Sequence, residues 1–165
     1  MSDFGPTDQR LQRVQARIPG FAVDAMRLVR MTNHLQKTFR DRTNALLKRF
    51  DLSDSSYTVL AILYGSADES SSASELSEAC HEKPANLTRV CDELAARGLI
   101  ERRPKPGDRR AVVISLSDAG RTLIEQAIPE VSNMAGAATA DFDPSELRQL
   151  SSLYARLLAN LNGRA

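Results

Sequence analysis

Asn86-Leu-Thr-Arg-Val-Cys-Asp-Glu-Leu94, then Arg97-Gly-Leu-Ile-Glu-Arg-Arg103 and, past a basic turn, Ala111-Val-Val-Ile-Ser-Leu116, decides the fold. Leu87, Val90, Cys91 and Leu94 recur at three- and four-residue steps, which is the period of one buried helix face. Pro84 opens this helix at a position where its missing N–H would be unpaired in any case, and Arg97-Gly98 closes it. The period then becomes alternating, predicting two strands, Leu99 to Arg103 and Ala111 to Leu116. Pro104-Lys-Pro-Gly-Asp-Arg-Arg110 joins them as a polar hairpin tip.

Working outward, Ser117-Asp-Ala-Gly120 caps a further helix reaching Ala138, and Pro144 begins a last one in which Leu147, Leu150, Tyr154, Leu157 and Leu161 form a stripe that Leu153 and Leu158 widen. Upstream, Ser72 and Glu75 have capping-box spacing and open a short helix through Cys80. The serine-rich stretch Ser66 to Ser74 before it reads as a polar loop. Tyr57, Leu60, Ala61 and Tyr64 define a helix ending at Gly65. From Val23 to Phe50 no Gly or Pro intervenes, and Leu28, Met31, Leu35, Phe39, Leu46 and Phe50 lie on one face of a long helix. Pro19-Gly20 separates it from a short amphipathic segment, Thr7 to Ile18.

The expected fold is therefore mainly α with a small β hairpin: a winged helix-turn-helix flanked by N- and C-terminal helices, the last with an apolar stripe that something must cover. Its parts would be an N-terminal extension (1–22), a helical region (23–50 and 121–165) and a DNA-binding winged domain (51–120). Twenty-two Lys and Arg against 21 Asp and Glu leave a net charge of +1, so only the distribution of charge can argue for a polyanionic partner. Between Lys83 and Arg110 there are eight basic and four acidic side chains. That stripe is suited to displacing counterions from double-stranded DNA. Asn86, Thr88 and Arg89 are placed for the major groove. Lys105, Arg109 and Arg110 on the hairpin are placed for the backbone or minor groove, with Asp108 to orient an arginine.

No Gly-rich phosphate loop, His-Glu-x-x-His or nucleophile elbow occurs, so no enzyme, cofactor or metal site is expected. No apolar run is long enough for a bilayer, and the first residues lack a signal-peptide layout, which points away from membranes and to the cytoplasm. Cys80 and Cys91 are expected to be reduced thiols, Cys91 as a small core residue and Cys80 as a partly exposed, mildly activated one at a helix end.

The run from Asn86 to Leu94, with Arg97-Gly-Leu-Ile-Glu-Arg102 and Gly107-Asp-Arg-Arg-Ala-Val-Val-Ile-Ser-Leu-Ser117, resembles the MarR (multiple antibiotic resistance regulator) family. The Asp-x-Arg wing signature falls on Asp108 and Arg110, and the Leu-Ser/Thr-x-x-Gly pattern on Leu116, Ser117 and Gly120. The layout of Arg97-Gly98 and of the first long helix, with Arg30, His34 and Asn44, looks closest to the branch that represses multidrug-efflux operons. The resemblance implies a homodimer in which the N- and C-terminal helices (23–50 and 121–165) are dimerisation helices that intertwine, a near-palindromic operator, and release by a small aromatic, phenolic or otherwise anionic effector. For that effector Arg30 and His34, one turn apart, could meet a carboxylate and a phenol, and Tyr57 an aromatic ring. Two alternatives stay open: a redox-responsive regulator using Cys80 or Cys91, although the family's peroxide sensors use a cysteine near the N-terminus and none precedes Cys80, and a winged-helix adaptor that binds no DNA.

Overall fold

The computed structural model describes residues 4–105 and 108–163, leaving out the side chains of 105 and 108–111. The chain forms two compact units, residues 1–57 and 58–165, with the boundary inside one helix.

In the first unit, α1 (Gly5–Arg17) and α2 (Val23–Leu47) are joined by a turn in which Gly20 adopts φ +79°. Arg27 on α2 holds the two helices together, its Nε donating to Asp8 on α1 at 2.6 Å and its Nη1 to Asp24 at 2.5 Å. Leu11 is buried. The long helix stops three residues short of Phe50: Lys48–Phe50 tightens to a 3-10 turn and Asp51 turns left-handed at φ 53°. The next helix, α3 (Asp54–Gly65), starts with its amides satisfied by side chains. Asn44 Oδ1 accepts from the Asp54 N–H at 2.9 Å and Ser53 Oγ from that of Ser56 at 3.1 Å.

In the second unit the rest of α3, α4 (Ala73–Ala79) and α5 (Pro84–Ala96) are followed by β2 (Ile100–Lys105), β3 (Asp108–Leu116), α6 (Asp118–Ala138) and α7 (Pro144–Asn162). Leu60, Leu63, Leu76, Val90, Leu94 and Ile124 are fully buried and form its core. The Ser72–Glu75 capping box is formed in full, with Ser72 Oγ accepting from the Glu75 N–H at 3.2 Å and Glu75 Oε2 from the Ser72 N–H at 2.8 Å.

The expected hairpin is a three-stranded antiparallel sheet of order β1-β3-β2, because Ser70–Ser72, expected as loop, forms β1. Ser71 pairs with Ile114 on one side of β3 while Arg102 pairs with Ile114 on the other. Three serines carry none of the β-branched or aromatic signal that marks a strand; β3 supplies the ladder that makes them one. Both wing strands also run further toward the tip than the alternation suggested, with an irregularity in register between Pro104 and Lys105.

The start of α6 is tied to the end of α5 at one crowded point. Gly98 takes φ +69° after α5. Ser117 Oγ donates to the Gly98 carbonyl at 2.6 Å and accepts from the Gly120 N–H at 3.0 Å. A Cβ on Gly120 would stand 2.0 Å from the Leu99 carbonyl oxygen, so only glycine fits. The last helix, α7, has its own capping box on Asp143 and Glu146, yet none of its residues is buried. Among the described residues no helix is long and apolar enough to cross a membrane.

Candidate nucleic-acid interface

The two sides of α5 differ sharply. Leu87, Val90, Cys91 and Leu94 are buried, which leaves Thr88 and Arg89 exposed and Asn86 half-buried on the opposite side. Pro84 at the helix start has no N–H to donate, the Asn86 N–H donates to the Lys83 carbonyl at 2.9 Å, and the N-cap residue Lys83 makes no side-chain cap, so no capping side chain offsets the partial positive charge of the helix N-terminus.

The polar side chains of α5 form an ordered chain. Asn86 Nδ2 donates to Glu82 Oε2 at 2.7 Å, which leaves Asn86 Oδ1 to accept from Arg89 Nη2 at 3.0 Å. The same guanidinium pairs with Glu93 one turn on. Thr88 Oγ1 donates to the Pro84 carbonyl at 2.9 Å. Thr88 as a whole is exposed. From β2, Arg102 reaches across to α5, with Nη1 2.6 Å from Asp92 Oδ1 and Nη2 at a longer 3.4 Å from the Thr88 carbonyl. The wing is thereby pinned to the helix at its base.

These pairs redistribute the basic stripe. Glu93 is taken by Arg89, Asp92 by Arg102 and Glu101 by Arg103, the last at 2.5 Å. The other basic side chains of the stripe are Lys83 and Arg97, at the two caps of α5, and Lys105, Arg109 and Arg110 on the wing. The strands carry Lys105, Asp108, Arg109 and Arg110 to either side of the tip, Lys105 opposite Asp108. Their side chains, and so the expected aiming of an arginine by Asp108, lie outside the described residues.

The first unit contains Arg30, His34 and Tyr57. Arg30 and His34 line one groove of about 390 Å³ together with Asn33 and, from α1, Thr7, Arg10, Leu11 and Val14; Phe4 closes it, its ring edge-on to that of His34 at 6.3 Å. Tyr57 does not line it. It sits in the first turns of α3, where partial burial pushes its phenol above the ordinary value, so the hydroxyl stays a donor at neutral pH.

Cys91 is buried, as its place on the inner face of α5 predicts. Cys80 is partly exposed as expected, but its activation is corrected. Its thiol is pushed up to about 11, first by desolvation and then by the proximity of Cys91 and Glu82, which is the reverse of activation. Burial raises the Cys91 thiol as well, and Arg102 offsets only part of that. Both thiols are free.

A winged sheet, a helix with one polar edge and a basic tip is the geometry of a regulator that grips duplex DNA. The family model of the MarR family matches residues 52–112, from the end of the first unit to the wing. The Bacillus subtilis HTH-type transcriptional regulator YhbI is 33% identical over 112 residues, 68% of this chain and 71% of its own. The chain belongs to the MarR family. Over nearly its whole length it is also similar to the Escherichia coli transcriptional repressor MprA, 29% identical over 161 residues that make up 98% of this chain and 92% of the relative. A mutant of Escherichia coli MarR solved in complex with operator DNA has the same fold, with a TM-score of 0.73 at 24% identity, covering 82% of this chain and 96% of that one. Fold and family are those of transcriptional regulators, not enzymes.

Set in a MarR-family chain, the Leu116-Ser117-x-x-Gly120 pattern has the physical basis given above: a hydroxyl knot and a contact that no side chain can share. Three features escaped the sequence reading. The Arg89–Glu93 pair was available from its four-residue spacing on a helix. The Arg102–Asp92 contact was not, because it depends on how β2 lies against α5. Arg10 escaped for the same reason: nothing in the sequence places α1 beside Arg30.

Proposed function

We propose that the protein is a repressor that binds a near-palindromic operator as a homodimer and is released by a small aromatic or phenolic acid. The observation that carries the DNA-binding part is the two-sided α5, whose buried apolar face leaves Asn86, Thr88 and Arg89 as the surface available to base edges. Lys105, Arg109 and Arg110 on the wing take the phosphate backbone or minor groove, with Asp108 orienting one of the arginines. The repressor part follows MprA, to which the chain is similar along nearly all of its length.

The homodimer reading is supported by the apolar faces left open. Leu28, Met31, Leu35 and Phe39 on α2 and Leu150, Leu153, Leu158 and Leu161 on α7 are exposed, Leu161 by 67%. Such stripes are too extensive for a solitary chain in water. A second copy covers both and sets two α5 helices one turn of DNA apart, roughly 34–36 Å, in keeping with a palindromic site. The effector reading is supported by Arg30 and His34 lining one groove; Tyr57 stands apart from it. Pushed-up thiols argue against control by oxidation at Cys80 or Cys91.

The test is a salt titration of binding to duplexes from the neighbouring intergenic region. A regulator shows log K falling steeply with log salt, and Arg110→Ala weakens binding by about 1–3 kcal/mol. Binding indifferent to salt and to that substitution rejects the DNA-binding mechanism. Loss of operator binding on adding aromatic acids tests the effector.

A further inference from the structure

Among the described residues, the groove between α1 and α2 carries an excess of positive charge that no carboxylate lining it balances. Along residues 4–34 the acidic side chains are Asp8 and Asp24. Both are engaged by Arg27, Asp8 at 2.6 Å and Asp24 at 2.5 Å. Arg10 and Arg30, which line the groove from its two walls, have no ion-pair partner among the described residues, and no carboxylate lines the groove with them. Two guanidiniums facing one space repel each other and bind an anion by charge-assisted, potentially bidentate hydrogen bonds. His34 and Asn33 add polar contacts, and Phe4, Leu11 and Val14 add an apolar wall. The volume, about 390 Å³, falls in the range of small-molecule sites, roughly 300–1,000 Å³.

We infer that this groove is an organic-anion site in which Arg10 of α1 and Arg30 of α2 together hold a ligand bearing two acid groups on an aromatic ring. The inference rests on the effector reading above, and adds to it a ligand class and a residue, Arg10. Two acid groups match two guanidiniums, and the ring lies against Phe4, Leu11 and Val14. Thr7, Arg10, Leu11 and Val14 are spaced at three- and four-residue steps along α1, and Arg30, Asn33 and His34 along α2, so each helix offers one continuous wall. A ligand held from both walls clamps α1 onto α2. The N-terminal segment is then part of the sensor, and its order depends on the ligand.

Calorimetry on the full-length protein with three probes tests this: phthalate, benzoate and neutral benzamide. Phthalate is expected to bind at least about tenfold more tightly than benzoate, because it engages both charges, and benzamide to give no heat. Arg10→Ala and Arg30→Ala should each weaken phthalate by about ten- to a hundredfold. Arg13→Ala, which removes an equal charge from α1 outside the groove, should leave it unchanged. Amide hydrogen exchange across residues 5–17 should slow with phthalate in the wild type and not in Arg10→Ala. No phthalate binding by the wild type overturns the inference, and so does Arg10→Ala binding phthalate like the wild type. Operator release, followed by fluorescence anisotropy, separates the two readings. If aromatic acids release Arg10→Ala as readily as wild type, the anion site falls and the effector reading stands. If phthalate binds through both arginines without releasing DNA, the site stands and the effector reading falls.

Discussion

Helices α5 and α7 carry similar apolar stripes at helical spacing and meet opposite fates. On α5, Leu87, Val90, Cys91 and Leu94 are within 3% of full burial. On α7 no residue is buried, and Leu153 and Leu158 stay 47% and 58% exposed. Periodicity reports that a helix has a face to bury and is silent about where the covering surface comes from. For α5 that surface is α4 and the wing. For α7 and for α2 the proposed second copy supplies it, so one pattern serves folding in one place and assembly in the other.

The largest effect should come from breaking the α7 side. Leu153→Glu with Leu158→Glu places charges on the open stripe of each copy. At about 1.5–3 kcal/mol per leucine side chain buried, the dimer should be lost at micromolar concentration. Sedimentation should then show a folded monomer with operator affinity reduced at least a hundredfold, since one half-site contact set remains; a dimer of undiminished affinity removes α7 from the interface. The matching change on α5, Leu94→Ala, should instead cost folding stability, about 2–5 kcal/mol by denaturant unfolding. Gly120→Ala should follow at about 1–3 kcal/mol, because a methyl group has to displace the Leu99 carbonyl backbone.

On the exposed side of α5 the expected change is smaller and of opposite sign. Glu93→Gln releases Arg89 from an exposed pair and removes an acid beside the proposed base-edge surface of α5. Operator binding should tighten severalfold, within about 1 kcal/mol. Smallest of all is the effect at Cys80. With its thiol near 11 rather than 9.0, alkylation at pH 8 should run about a hundredfold slower than for an unperturbed thiol, and Cys80→Ser should leave the response of DNA binding to peroxide unchanged. The sign for stability follows from the raised value. Any contribution of this thiol is fully present below about pH 9 and is lost as pH rises through about 11. Faster alkylation would restore the redox alternative.

Much of the candidate site is legible in the sequence. Asn86, Thr88 and Arg89 were placed on one edge of a helix because the apolar residues between them left no other arrangement. Arg30 and His34 were placed together by a four-residue step. Tyr57, which opens the next helix, offers its ring from there, but the groove forms without it. Cys80 was read as activated from its position at a helix end, yet desolvation dominates there.

What the sequence by itself determined is the order of the helices and of the two wing strands, the caps at Ser72 and Ser117, and the two-sided character of α5. Each of these depends on neighbours within a few residues, and short-range period and hydrogen bonding suffice. What only the tertiary structure decided is long-range: that Ser70–Ser72 becomes a strand because β3 pairs with it, that Arg102 clamps the wing to α5 through Asp92, that Gly120 must stand against the Leu99 carbonyl, and that Arg10 shares a groove with Arg30. In each case the partner lies many residues away, and nothing in the local sequence indicates which distant group the chain will bring there.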